Sequence, residues 1–142
     1  IMPLPGRTGT PAADLAIIRA WRPDRIVSLV EPGEWAASGL ASLPAELAAA
    51  ARAYTAFPIP DYGIPAPGSK PAAMLDAAAA TLGAGGAVLL HCHGGKGRSG
   101  MIAARLLVMA GATPEAAIRQ ARAARPGAIE TAEQEAWIAT GG

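Results

Sequence analysis

Cysteine, histidine and aromatic residues are scarce in this chain. Its 142 residues include one cysteine, two histidines, one phenylalanine and two tyrosines. A lone cysteine excludes an internal disulfide framework and fits a reducing, cytoplasmic setting. It also excludes a resolving disulfide within the chain, so an oxidised Cys92 would depend on external thiols. An excess of one charge is lacking too, since 12 basic and 11 acidic residues leave a net charge of +1. No basic run forms a strip, which argues against a nucleic-acid partner. No apolar stretch approaches the ~20 residues of a membrane span, and no signal peptide is visible. The chain opens at Ile1 and not at Met, so the natural start is expected upstream. No repeat or low-complexity linker divides it, and the oligomeric state is not readable.

Half of the residues are hydrophobic (51%). One domain spanning 1–142 is therefore expected, large enough to bury roughly two-thirds of its unfolded surface. About a quarter of the residues are alanine, a compositional bias without functional weight. Thr10-Pro11 reads as an N-cap with proline at the first helical position, and Leu15, Ile17, Ile18 and Trp21 give that helix an apolar stripe. Arg25 to Val30 reads as a buried strand, Trp35 to Leu40 as one helical turn, Pro44 to Arg52 as a helix and Tyr54 to Phe57 as a second strand. Residues Pro58 to Gly68 hold four prolines and two glycines, which predicts a stiff, exposed loop. Ser69 is expected to cap a helix running to Leu82. Ala87 to His91 is a further strand, followed by helices to Ala110, from Thr113 to Arg125, and from Glu130 to Ala139. Strands alternating with helices predict an α/β fold: a small central, mostly parallel sheet of four or five strands flanked by helices, the late helices covering one face.

The densest chemistry lies in His91-Cys92-His93-Gly94-Gly95-Lys96-Gly97-Arg98-Ser99-Gly100, which holds the only cysteine and both histidines. Strand, glycine-rich turn and helix in succession aim backbone N–H groups and the positive end of the helix at one spot. Such a spot wants an anion, and the end of a strand is where open α/β sheets bind ligands. For a phosphate monoester, the amides of His93, Gly94, Gly95, Lys96, Gly97, Arg98 and Ser99 can ring the non-bridging oxygens. Arg98 can hold two of these oxygens in its fork. Cys92 sits beneath the phosphorus, where positive surroundings favour its thiolate as nucleophile. Attack gives a cysteinyl-phosphate, and the hydroxyl of Ser99 can assist the sulfur when it later leaves. His91 points away from Cys92 along the strand and is expected to brace the loop through hydrogen bonds. The leaving oxygen needs a proton. Of Asp14, Asp24, Asp61 and Asp76, only Asp61 lies in a stiff surface loop, so Asp61 is assigned as general acid and then as base toward water. Neither metal nor cofactor is required.

Cys92-x5-Arg98-Ser99 preceded by His91 resembles the signature of cysteine-dependent protein tyrosine phosphatases. Chain length and the central place of the motif are similar to the dual-specificity branch, whereas low-molecular-weight phosphatases carry the motif near the N-terminus. The resemblance is closest to the kinase-associated phosphatase group. It covers Phe57 to Pro65, the motif itself and Ala128 to Gln134, and more weakly Ser28 to Glu34. It implies a phosphotyrosine phosphatase-like fold, a phosphorylated protein substrate, and the same roles for Cys92, Arg98, Ser99 and Asp61. His93 and Lys96 depart from many dual-specificity loops. Lys96 is similar to the loop of phosphoinositide phosphatases, Cys-Lys-Ala-Gly-Lys-Gly-Arg, so a phosphorylated lipid headgroup or inositol phosphate is the alternative substrate.

Blander readings compete at several positions. A lone cysteine is usually a small buried hydrophobe, but arginine six residues on in a glycine-rich turn favours catalysis. His91-x-His93 offers half a metal site, with no third ligand or clustered carboxylate apparent nearby. Gly95-Lys96 fails as a nucleotide P-loop because Leu90 stands where the earlier glycine is required. Lys96 is as readily a solvated charge as a substrate contact. Arg119, Arg122 and Arg125 read as a wet helical face. Trp21, Trp35 and Trp137 read as packing, and Gln134 as structural. A phosphate-binding module without turnover is a further alternative, against which the presence of Cys92, Arg98 and Asp61 together counts.

Overall fold

Three four-residue runs carry apolar side chains on both faces, as a parallel sheet covered on two sides requires. In the computed structural model, which describes residues 1–141, they are β1 (Arg25–Ser28), β2 (Ala53–Ala56) and β3 (Val88–His91). The sheet order is β2-β1-β3, all parallel, with Ser28 level with Ala56 on one side and His91 on the other. The expected four or five strands are three among the described residues. A fourth position is begun by Met2, which bridges to His91 and whose amide donates to the Leu90 carbonyl. Pro3 and Pro5 lack the N–H groups that would extend that ladder.

Successive strand residues face opposite sides and so divide the core in two. Ile26 and Leu89 meet Leu15, Ile18, Trp35, Leu43 and Leu47. These come from α1 (Pro11–Trp21), α2 (Pro32–Ala37) and α3 (Leu43–Ala48). Val27 and Leu90 face the other side, with Met74, Leu75, Met101, Ile102 and Ile138. That side is built by α4 (Pro71–Gly83), α5 (Gly97–Met109), α6 (Pro114–Ala124) and α7 (Ala132–Thr140), with α5 packed against the other three.

Thr10 and Thr113 cap α1 and α6 by accepting from Ala13 and Ala116. Two local expectations fail. Leu15 and Ile18 fix which side of α1 meets the sheet, so Ile17 and Trp21, one turn apart, face water and Trp21 is not core. Ser69 does not cap α4; Lys70 holds that position without a side-chain bond, and the Ser69 hydroxyl is buried without a partner among the described residues.

The N-terminal arm lies on the glycine-rich turn. Leu4 is buried, and its amide donates to the His93 carbonyl at 3.1 Å. Gly95 has φ +64, and a Cβ there would run into the backbone of Met2 and Pro3. Gly95→Ala therefore combines a left-handed conformation with overpacking against backbone, and we expect a stability loss of roughly 2–3 kcal/mol. Amide exchange at Met2 and Leu4 should rise as the arm lifts. An unchanged denaturation midpoint would contradict this packing.

Candidate active site

The turn after β3 is held from outside by its carbonyls. His93 O accepts from Leu4, Gly95 O from Arg125 Nε at 3.0 Å, and Lys96 O from Gly100 and Ile129. Carbonyls anchored outward leave the amides to face the centre. The first turn of α5 adds the amides of Gly97, Arg98 and Ser99, which have no intrahelical partners. An anion cradle follows from this arrangement. Cys92, buried at the end of β3, points its Sγ 3.4 Å from the Ser99 hydroxyl.

Arg98 is 1% exposed, and every contact of its guanidinium has a structural source. Glu34, in the first turn of α2, receives Nη1 at 2.6 Å and Nη2 at 2.9 Å. The Ile59 carbonyl takes Nη1 at 3.0 Å, and Asp61 lies 2.9 Å from Nη2. Only Nε lacks a partner among the described residues. The loop that carries Asp61, the strand exit at Leu29 to Glu34 and the cradle are thus joined at one cation. Partial burial works against ionisation of Glu34, but hydrogen bonds from Arg98 and the Glu31 amide hold it below its ordinary value. Burial likewise opposes the charge on Arg98, and Glu34 outweighs that.

Of the sequence-derived residues, Cys92, Arg98 and Ser99 are buried and do not line the surface cleft, whereas four others do. Asp61, His93, Gly94 and Lys96 line one cleft of about 620 Å³ together with Pro3, Arg7, Thr8, Tyr62, Arg125 and Glu130. Arg7 comes from the N-terminal arm, and its Nη1 lies 3.2 Å from Nε2 and 3.3 Å from Nδ1 of His93. Gly97 is closed in by Glu130 and Gln134, leaving no room for a side chain.

Sequence reasoning missed Glu34 as the partner of Arg98. Its only signal was an acidic residue in the segment following β1, and nothing local tied it to a residue 64 positions later. Carboxylates also gather near His93, contrary to expectation: ligand atoms of Glu34, Asp61 and His93 lie within 4.8 Å of one another. Arg98 bonds to both carboxylates and is the cation they share. Arg119 and Arg122 are exposed, as a wet face requires, but Arg125 is half-buried and both Arg122 and Arg125 also carry structural bonds. Arg122 donates to the carbonyls of Ala128 and Ile129 and pairs with Glu135, and Arg125 holds Gly95.

His91 does not brace the loop through hydrogen bonds. It is fully buried, neither ring nitrogen has a partner among the described residues, and its ring meets Trp35 edge-on at 5.5 Å. Burial, reinforced by the charge on Arg98, pushes it down to about 4. An unfolded histidine titrates near 6.5, so between these values the unfolded chain binds more protons and stability falls as pH falls. Midpoints of denaturation should decline from about pH 6.5 toward pH 4, by on the order of 3 kcal/mol in all, and this group adds no further slope below that. In His91→Leu the slope between about pH 6.5 and 5 should flatten. Equal slopes in both proteins would assign the titration elsewhere.

The chain, over residues 24–138, matches the PTP-SAK family, Swiss Army Knife protein, DSP-PTPase phosphatase domain. Among solved structures it is similar to kinase-associated phosphatase carrying a serine in place of its catalytic-site cysteine. That match has 26% identity, covers 96% of this chain and 80% of the other, and has a TM-score of 0.85. Tk-PTP in its active form is 25% identical over 94% of this chain and 82% of the other, with a TM-score of 0.58. A mouse putative dual specificity phosphatase complexed with zinc tungstate shares the fold at 19% identity, covering 92% and 78%, with a TM-score of 0.66. No curated protein matches the chain. With the family match spanning most of its length and the cradle intact, the chain belongs to the PTP-SAK family and is a protein phosphatase of the dual-specificity type.

Proposed function

We propose that this phosphatase works through a cysteinyl-phosphate intermediate and acts on phosphorylated protein side chains with dual specificity. The observation that carries this reading is the convergence of Cys92, Ser99, Arg98 and Asp61 on one cradle. The phosphoryl group takes the Nε and Nη2 edge of Arg98, and its arrival displaces the Asp61 carboxylate from Nη2, whereupon that carboxylate takes up a proton from solvent. The Cys92 thiolate attacks phosphorus as the bond to the leaving oxygen breaks, and the Asp61 carboxyl donates its proton to that oxygen. In the second step the Asp61 carboxylate takes a proton from water as the water oxygen attacks phosphorus. The sulfur then departs as thiolate, with the Ser99 hydroxyl donating to it. Glu34 keeps the guanidinium in plane for both steps. No helix of the described residues is long and apolar enough to cross a membrane. The single cysteine, used as a thiolate, supports a reducing, cytoplasmic setting.

Replacing Cys92 by Ser should abolish hydrolysis of aryl phosphates while leaving the fold intact. Asp61→Asn should slow phenyl phosphate by roughly 10²-fold and a dinitrophenyl phosphate far less, because only the poorer leaving group needs the proton. Equal slowing of both would remove Asp61 from the acid role.

A second reading, turnover of inositol phosphates or phosphoinositide headgroups, is favoured by one observation. Arg7, His93, Lys96 and Arg125 all border the same cleft. With Lys96→Met, kcat/KM on inositol phosphates should fall roughly tenfold or more below its value on a phosphotyrosyl peptide, as expected when one charged hydrogen bond is lost. Parallel losses on both substrate classes would favour the protein substrate.

A further inference from the structure

We propose that Thr131 and Gln134, at the start of α7, are positioning residues that lock the Asp61 loop over the cradle, so that the acid is delivered without lid closure. The proposal rests on the reading of Asp61 as the general acid. Pro60 to Gly63 form a β-turn closed by the Gly63 amide donating to the Pro60 carbonyl at 2.9 Å. Tyr62 occupies the third position of that turn with φ +58. That position favours glycine or asparagine, and a tyrosine there persists only where its surroundings over-determine it.

Two bonds from α7 supply that constraint. Thr131 Oγ1 donates to the Tyr62 carbonyl at 3.3 Å, and Gln134 Nε2 donates to the Gly63 carbonyl at 3.1 Å. The two carbonyls immediately after Asp61 are therefore both tied to one helix end. Gln134 is fully buried, and its Oε1 accepts the Glu130 amide at 2.9 Å. Both ends of its side-chain amide are thus engaged with backbone. That commits Gln134 to the loop and leaves it unsuited to ordering a hydrolytic water.

The anchor of these bonds is the cradle itself. Ile129, two residues before Thr131, has φ +62, an uncommon state for a β-branched residue, and its amide reaches the Lys96 carbonyl. Arg122 fixes the carbonyls of Ala128 and Ile129. The segment from Ala128 to Gln134 therefore spans from the cradle to the acid loop and sets the distance between Cys92 and Asp61. A loop held in this way has little freedom to swing.

The test compares Gln134→Met, Thr131→Val and Thr131→Ser with Asp61→Asn on phenyl and dinitrophenyl phosphate. Gln134→Met and Thr131→Val should lose roughly tenfold in kcat on phenyl phosphate and within about twofold on dinitrophenyl phosphate, as expected for loss of one positioning hydrogen bond. Thr131→Ser keeps the hydroxyl and should retain the parent ratio. Hydrogen exchange at Tyr62 to Ile64 should rise in the two impaired variants only. If Asp61→Asn shows leaving-group dependence and Gln134→Met and Thr131→Val do not, the lock is overturned while the acid assignment stands. If Asp61→Asn itself shows none, the acid assignment fails first. Accumulation of phosphoenzyme in Gln134→Met regardless of leaving group would mean a water-ordering role and would also overturn the proposal. Should Gln134→Met fail to fold, Thr131→Val, altered at a half-exposed position, decides the matter.

Discussion

The buried guanidinium of Arg98 is the constraint to which most of the site answers. A cation that is 1% exposed is tolerated only where it is paired and its donors are filled. Glu34 fills two of them in a fork, the Ile59 carbonyl a third, and Asp61 a fourth. The partners come from α2 and from the Pro58 to Gly68 loop, so satisfying one side chain also fixes the mutual positions of α2, that loop and α5. The single unfilled donor among the described residues is Nε. Folding therefore leaves the hydrogen-bond set of this guanidinium one short among the described residues. A hydrophobic side chain in place of Arg98 could pack there, but it would leave Glu34 and the Ile59 carbonyl stranded without a donor.

The same logic explains the weight of glycine in the motif. Gly95 lets the arm at Met2 and Pro3 lie on the turn, Gly97 admits Glu130 and Gln134, and Gly100 lets Ala128 approach α5. These contacts come from two distant stretches of chain, the N-terminal arm and the segment from Ala128 to Gln134. The cradle is thus gripped on its outer side by backbone, with carbonyls facing the grip and amides facing the ligand. Fixed dipoles of this kind need no reorganisation when charge develops, which is how a small domain stabilises a phosphoryl transition state.

What the sequence made legible follows from the range of the interactions involved. Helix starts at Thr10 and Thr113, the strand before Cys92 and the cradle itself depend on neighbours within a few residues, and all could be read directly. The alternation of Ile26 with Val27, and of Leu89 with Leu90, made a sheet covered on both faces readable as well. Glu34 was not readable, because its role is defined by a guanidinium 64 residues away. His91 was misread for a related reason. The sequence marked it as polar and adjacent to the cradle, but burial against Trp35 decides its state. Arg122 and Arg125 satisfy helical spacing for a solvated face, yet the backbone turn after α6 brings two carbonyls to Arg122 and the turn after β3 brings that of Gly95 to Arg125. Helical periodicity carries no information about such a turn. The fourth strand shrank to a bridge at Met2 because proline chemistry at Pro3 and Pro5 overrides the pairing that a free sheet edge invites.

Strain shows where the architecture spends stability on geometry. Two non-glycine residues near the site, Tyr62 and Ile129, hold positive φ. Each such residue costs on the order of 1–3 kcal/mol and survives only if neighbours enforce it. They flank the two ends of a single connection: Ile129 leaves the cradle at Lys96, and Tyr62 receives the bond from Thr131. A relaxed backbone at either point would lengthen or rotate the link between Cys92 and Asp61. With strands of only four residues, the sheet offers little other means of fixing that distance. The Pro58 to Gly68 loop supplies stiffness through its prolines, but stiffness alone does not set position. Position comes from the bonds across to α7, which tie the start of that helix to the two carbonyls that follow Asp61.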